Sequence, residues 1–134
     1  MGRQELKGIE IILLLIGGTV GVYLRYRMVN SPMTIGSLSV NVLLVNIIGS
    51  FILGAFSILS LSWNLNEQYA LLVAVGFCGS FTTMSSFALE TINLIDNKQL
   101  GIAGINILVT VSLSLGAVIA GRSFLKILLE WGLH

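Results

Sequence analysis

The stretch "GFCGSFTTMSSFALE", Gly76 to Glu90, lies inside a segment apolar enough to cross a bilayer, yet it carries two glycines and five hydroxyl side chains. Glycine is a poor helix former, and serine and threonine compete for main-chain hydrogen bonds. The run Gly79, Ser80, Thr82, Thr83, Ser85, Ser86 therefore predicts an interrupted helix. Irregular backbone is not tolerated against lipid, but it is tolerated where it is buried in protein or lines a cavity, because neighbouring polar groups can satisfy it. The interruption must face inward.

Composition sets the solvent. Of 134 residues, 55% are hydrophobic and 10% are charged, against about 25% charged in soluble globular domains. Residues 1–134 read as a single integral membrane domain. A net charge of +1 leaves no footprint for nucleic acid. Cys78 is the only cysteine, so no disulfide forms within the chain, and a thiol inside an apolar span reads as buried and inert. The first apolar run resembles a signal peptide weakly and is read as a permanent helix.

Spans of about 20 apolar residues are the unit of a helical membrane protein. Charged residues divide the chain into four, at about 9–26, 36–61, 69–95 and 100–125. Between them lie "RYRMVNSPMTIGS", where Pro32 ends the helix, then "WNLNEQ" and "IDNKQL". The fold class is all-α, with four transmembrane helices and the third broken near mid-membrane. Four spans put Arg3, Lys7, Arg122 and Lys126 on one side and Arg25, Arg27 and Lys98 on the other. Lysine and arginine bias normally sets orientation, and four against three is almost none. Two readings follow from the tally. Either the balance is incidental, or the chain inserts both ways and pairs antiparallel with a second copy. Gly17 and Gly21, and in the fourth span Gly116, Ala117, Ala120 and Gly121, form small-residue faces for close helix packing.

Polar groups inside lipid are costly unless they are paired or used. Asn41 and Asn46 fall in the second span; Asn106, Thr110 and Ser114 share one face of the fourth. Ser80, Met84 and Phe87, at helical spacing, set a hydroxyl, a thioether and a ring on one face of the third. Any one of these more often packs or pairs locally, but together they describe a narrow polar track. Phe87 can offer its positive ring edge to a small anion. If two antiparallel chains cross at their breaks, freed carbonyls converge, and such oxygen ligands suit a hard cation such as Na⁺.

These residues resemble the Fluc fluoride channels, small four-helix bacterial proteins, from the first helix through the fourth. "GGTVGVYLRY" (Gly17–Tyr26) is similar to that family's first-helix pattern, and "NIIGSFILG" (Asn46–Gly54) to its second. The Gly76–Glu90 stretch is similar to its third-helix signature. The resemblance implies a passive fluoride-selective channel that exports cytoplasmic fluoride across the bacterial inner (plasma) membrane. It further implies a dual-topology antiparallel homodimer with two pores, and a structural Na⁺ at the dimer centre held by the carbonyls of Gly79 and Thr82. On the same ground the fluoride pathway falls on Asn46, Ser80, Thr83, Met84, Phe87, Thr110 and Ser114, and the pore end on Arg25 and Glu90. Arg25 is either a vestibule charge that gathers anions or an anchor that fixes depth.

Two features depart from the family pattern. Met84 stands where a first phenylalanine is usual, replacing half of the aromatic lining by a flexible thioether. Ungapped reading from Gly36 through "GSLSV" selects Asn41 as the pore asparagine, whereas the Asn-x-x-Gly-Ser-Phe spacing selects Asn46, which is preferred here. The alternative function is a dual-topology small multidrug-type transporter, whose proton-coupling carboxylate would have to be Glu10 at the edge of the first span. A membrane hydrolase lacks a base, since the single histidine is His134. The chain is therefore not read as an enzyme.

Overall fold

The computed structural model describes residues 8–31 and 33–132. Helix α1 spans Gly8–Val29, a hairpin joins β1 (Thr34–Ile35) to β2 (Leu38–Ser39), and α2 spans Val40–Ser62. The next segment is composite: α3 (Glu67–Ala70), a π-helical run Leu71–Cys78, α4 (Gly79–Phe81) and α5 (Met84–Asp96). Helix α6 then runs over Leu100–Gly132. Four segments are long and apolar enough to cross a membrane: Gly8–Val29, Val40–Ser62, Glu67–Asp96 and Leu100–Gly132. These are the four spans anticipated from hydropathy.

Two boundaries differ, each for a local reason. The second span begins at Val40 rather than at residue 36, because Thr34 pairs with Ser39 and Ile35 with Leu38 across a tight turn. Gly36 takes φ +61° there, a conformation glycine adopts without a Cβ clash. The fourth helix continues to Gly132 rather than stopping near residue 125. Arg122, Lys126 and Glu130 recur every fourth residue on an exposed stripe, so the charges that mark the end of the apolar span do not interrupt the helix. Pro32, the helix-ending residue expected in the first loop, lies outside the described residues, as do Arg3, Lys7 and His134.

Glycine decides which helices touch. A Cβ on Gly17 would strike the Leu72 carbonyl, and one on Gly21 the Phe77 carbonyl, so α1 lies directly on the backbone of the π-helical run. Gly54 abuts the Val118 main chain and Gly121 that of Phe51, which brings α2 and α6 together in the same way. Val42 and Val45 are the largest fully buried side chains and mark the core beside α2. Outward positions such as Leu15, Leu108 and Ile119 are exposed, as lipid-facing residues should be. At one end of the molecule Gln99 Nε2 donates to Ser37 Oγ at 3.0 Å, tying the first and third connections together.

Candidate functional site

The third segment changes conformation where its hydroxyl residues cluster. Helical geometry ends at Phe81, Thr82 (φ −72°, ψ 155°) and Thr83 (φ −147°, ψ 112°) are extended, and helix resumes at Met84. Several of the polar groups at this step find partners nearby, as burial favours. Thr82 N and Oγ1 both donate to the Cys78 carbonyl, at 3.1 and 2.9 Å. Thr83 Oγ1 accepts from Ser86 N at 3.2 Å and so caps α5. The Thr83 main chain meets Asn46 of α2 at two points: its N–H donates to Oδ1 at 2.8 Å, and its carbonyl accepts from Nδ2 at 3.2 Å. Gly49, one turn further along α2, leaves room for Thr82, since a Cβ there would collide with the threonine methyl.

Beside this step lies a cavity of about 400 Å³ between α2, α4–α5 and α6. Asn46, Thr83, Met84, Phe87, Thr110 and Ser114 all line it, together with Gly79 and Thr82. Phe87 is 8% exposed and Met84 is 74% exposed, so the ring is fixed in the wall while the thioether lies open. Ser114 Oγ is buried with no hydrogen-bond partner among the described residues, which leaves its donor and lone pairs uncommitted there. The remaining wall is apolar, including Leu53, Ala74 and Val111. A few polar atoms set in an apolar wall are the usual form of a selective small-ligand site.

A second cavity, of about 200 Å³, lies toward the hairpin end between Ser37, Ser39, Glu90, Asn93 and Asn106. Ser39 and Glu90 face this space from β2 and α5. Three hydrogen bonds join the two cavities through buried side chains. Thr110 Oγ1 donates to Asn106 Oδ1 at 3.4 Å, Asn106 Nδ2 to Thr91 Oγ1 at 3.1 Å, and Thr91 Oγ1 to the Phe87 carbonyl at 2.8 Å. Thr91 was not singled out in the sequence. Its position four residues after Phe87 places it on the same helical face and is the signal that would have found it.

The other candidate residues are placed elsewhere. Ser80 lines a separate groove on α1 with Gly18, Thr19, Tyr23 and Tyr26. Asn41 is 4% exposed, and its Nδ2 donates to the Val29 carbonyl at 3.1 Å and to the Ser31 carbonyl, tying the end of α1 to the start of α2. Arg25 is half-buried on α1 and lines neither cavity. Among the described residues no group of three or more His, Cys, Asp or Glu side chains could hold a metal. The oxygen donors near the step are main-chain carbonyls and hydroxyls.

Four segments of membrane-spanning length, three of them bordering a cavity set with neutral polar groups, define a multi-pass membrane protein. The chain belongs to the family described as CrcB-like protein, Camphor Resistance (CrcB), whose pattern matches residues 12–122. It is 49% identical over 125 residues to the "Fluoride-specific ion channel FluC" of Nitrosopumilus maritimus, covering 93% of this chain and 99% of that one. A protein of the same name from Methanococcus maripaludis is 38% identical over 114 residues, covering 84% and 93%. Another, from Gluconobacter oxydans, is 36% identical over 116 residues, covering 83% and 81%. The resemblance to the Fluc family is thereby borne out, and it is a family of ion channels rather than enzymes. The relative from Nitrosopumilus maritimus is archaeal, so membership places the chain in a membrane without making that membrane bacterial.

Proposed function

We propose that this protein is a passive fluoride-selective channel that lets fluoride leave the cytoplasm. The observation that carries the reading is the cavity in which Asn46, Phe87, Thr110 and Ser114 converge beside the extended Thr82–Thr83 step. Fluoride enters cells as its neutral acid and dissociates inside, and an inside-negative potential then favours exit of the anion by about 2.3 kcal/mol per 100 mV. No energy-coupling group is required. A bare anion needs donors to replace its water. The second Asn46 amide hydrogen, the free Ser114 hydroxyl, the Thr110 hydroxyl and the Phe87 ring edge supply them without a fixed charge that would trap the ion. Glu90 and the second cavity form the end of this route nearest the hairpin. Ser80, on the α1 side, takes no part.

The active unit is an antiparallel homodimer with two pores, its chains meeting at their Thr82–Thr83 steps near mid-membrane. A Na⁺ ion at its centre would be held by the Gly79 and Thr82 carbonyls and would supply a fixed positive charge that ties the chains together. The residues present fit such an ion. Gly79 is exposed on the single chain, a Cβ there would meet only the Ala74 carbonyl at 3.7 Å, and the N–H that an unbroken helix would bring to its carbonyl is bound to Asn46 instead. Hard oxygen donors suit Na⁺. No observation favours the multidrug-type alternative, because Glu10 sits in the first turn of α1, at the end of the span rather than in its middle.

Purified protein in liposomes loaded with fluoride tests the proposal. Efflux read by a fluoride electrode should exceed that of empty liposomes and of chloride-loaded controls. A folded dimer that passes no fluoride would overturn it.

A further inference from the structure

Asn46 and Thr83 are 37 residues apart, yet the asparagine side chain holds both main-chain polar groups of the threonine. In a continuous helix the Thr83 N–H would serve the Gly79 carbonyl four residues back. Binding it to a side chain of α2 leaves that carbonyl without its helical donor. Thr83 is 4% exposed, so water does not satisfy its N–H once Asn46 is gone, and a buried unpaired donor is strongly disfavoured. Return to the Gly79 carbonyl is the available remedy.

We infer that Asn46 is a positioning residue for the cation site: by clasping Thr83 it keeps the Gly79 carbonyl out of helical bonding and free for the ion, and it couples the cavity wall to that ion. This rests on the sodium reading above. It also redefines what the asparagine does for the permeating anion. One of its two amide hydrogens is committed to the Thr83 carbonyl, so at most one is left for fluoride.

The test reads cation binding apart from conduction. Thermal unfolding of the detergent-solubilised dimer is titrated with sodium chloride against choline chloride at constant ionic strength. Wild-type protein is stabilised by Na⁺ in a saturable way. In N46A, which loses both hydrogen bonds to Thr83, the half-saturating Na⁺ concentration rises about tenfold or more, one such bond alone being worth about that factor, whereas S114A, on the same cavity wall, stays within about twofold. N46D matches asparagine in size and still accepts from the Thr83 N–H. It keeps the wild-type Na⁺ response while losing fluoride efflux, because its carboxylate puts negative charge on the cavity wall. An asparagine that merely filled space would not split the two readouts. N46A titrating like wild type overturns this inference and leaves the sodium reading standing; a wild type indifferent to Na⁺ overturns both. Should N46A fail to fold, N46D decides alone, and loss of its Na⁺ response overturns the inference.

Discussion

Ser114 and Ser80 carry the same side chain and meet different surroundings. The Ser114 hydroxyl is buried on the cavity wall without a partner, while Ser80 lies in the groove along α1. Removing Ser114 Oγ deletes an unsatisfied polar atom, so S114A should leave the melting temperature of the solubilised protein unchanged or raised. Its fluoride efflux should fall about tenfold, since a hydrogen bond to an anion is worth about 1.5 kcal/mol or more. S80A should conduct within about twofold of wild type, and equal losses in the two variants would contradict the assignment of the route. Phe87 allows a similar comparison with Phe124, which is 54% exposed on α6. F87I should slow efflux about fivefold by removing a polarised ring edge, and F124I should not, as paired flux traces at matched protein density would show. The side chains that converge on the cavity were for the most part legible as isolated polar or aromatic residues in apolar spans. Ser80 is the instructive exception. It was grouped with Met84 by assuming four residues of continuous helix, but the extended Thr82–Thr83 step lies between them and resets the helical phase.

Among the elements, contacts between helices depend on the absence of side chains. Gly121 lies against the Phe51 carbonyl and the Ala55 amide, both in the interior of α2, where the backbone has little freedom to retreat. G121V should therefore force α2 and α6 apart at a cost of about 1–3 kcal/mol, seen as a lower melting temperature and a broadened size-exclusion peak. Gly101, which has open space around it, is the matched control: G101V should leave both measurements unchanged. Helix existence was legible because runs of apolar residues between charged clusters leave little choice in lipid. Helix ends were less so. "TIGSLS" is apolar enough to extend the second span on paper, and only the turn chemistry of Gly36 reveals a hairpin. The π-helical geometry of Leu71–Cys78, the run on which α1 lies, had no sequence signal.

For the whole molecule, the first and third connections are joined by the Gln99–Ser37 hydrogen bond and the second lies at the opposite end. Orientation then reduces to which end faces the cytoplasm, and the balanced charges leave that open. Cysteines introduced singly at Ser37 and Asn64, in a protein whose native Cys78 is buried, should each be half-accessible to an impermeant thiol reagent in sealed vesicles if the chains insert both ways. Complete labelling at one site and none at the other would mean a single orientation and would dismiss the antiparallel dimer. The buried run from Thr110 through Asn106 and Thr91 to the Phe87 carbonyl also has a polarity. At its Thr110 end, which lines the larger cavity, the hydroxyl donates to Asn106. Its link to Asn106 is, at 3.4 Å, the longest of the three. On the proposed route, an anion reaching Thr110 would have only that longest link to displace before the hydroxyl could turn toward it.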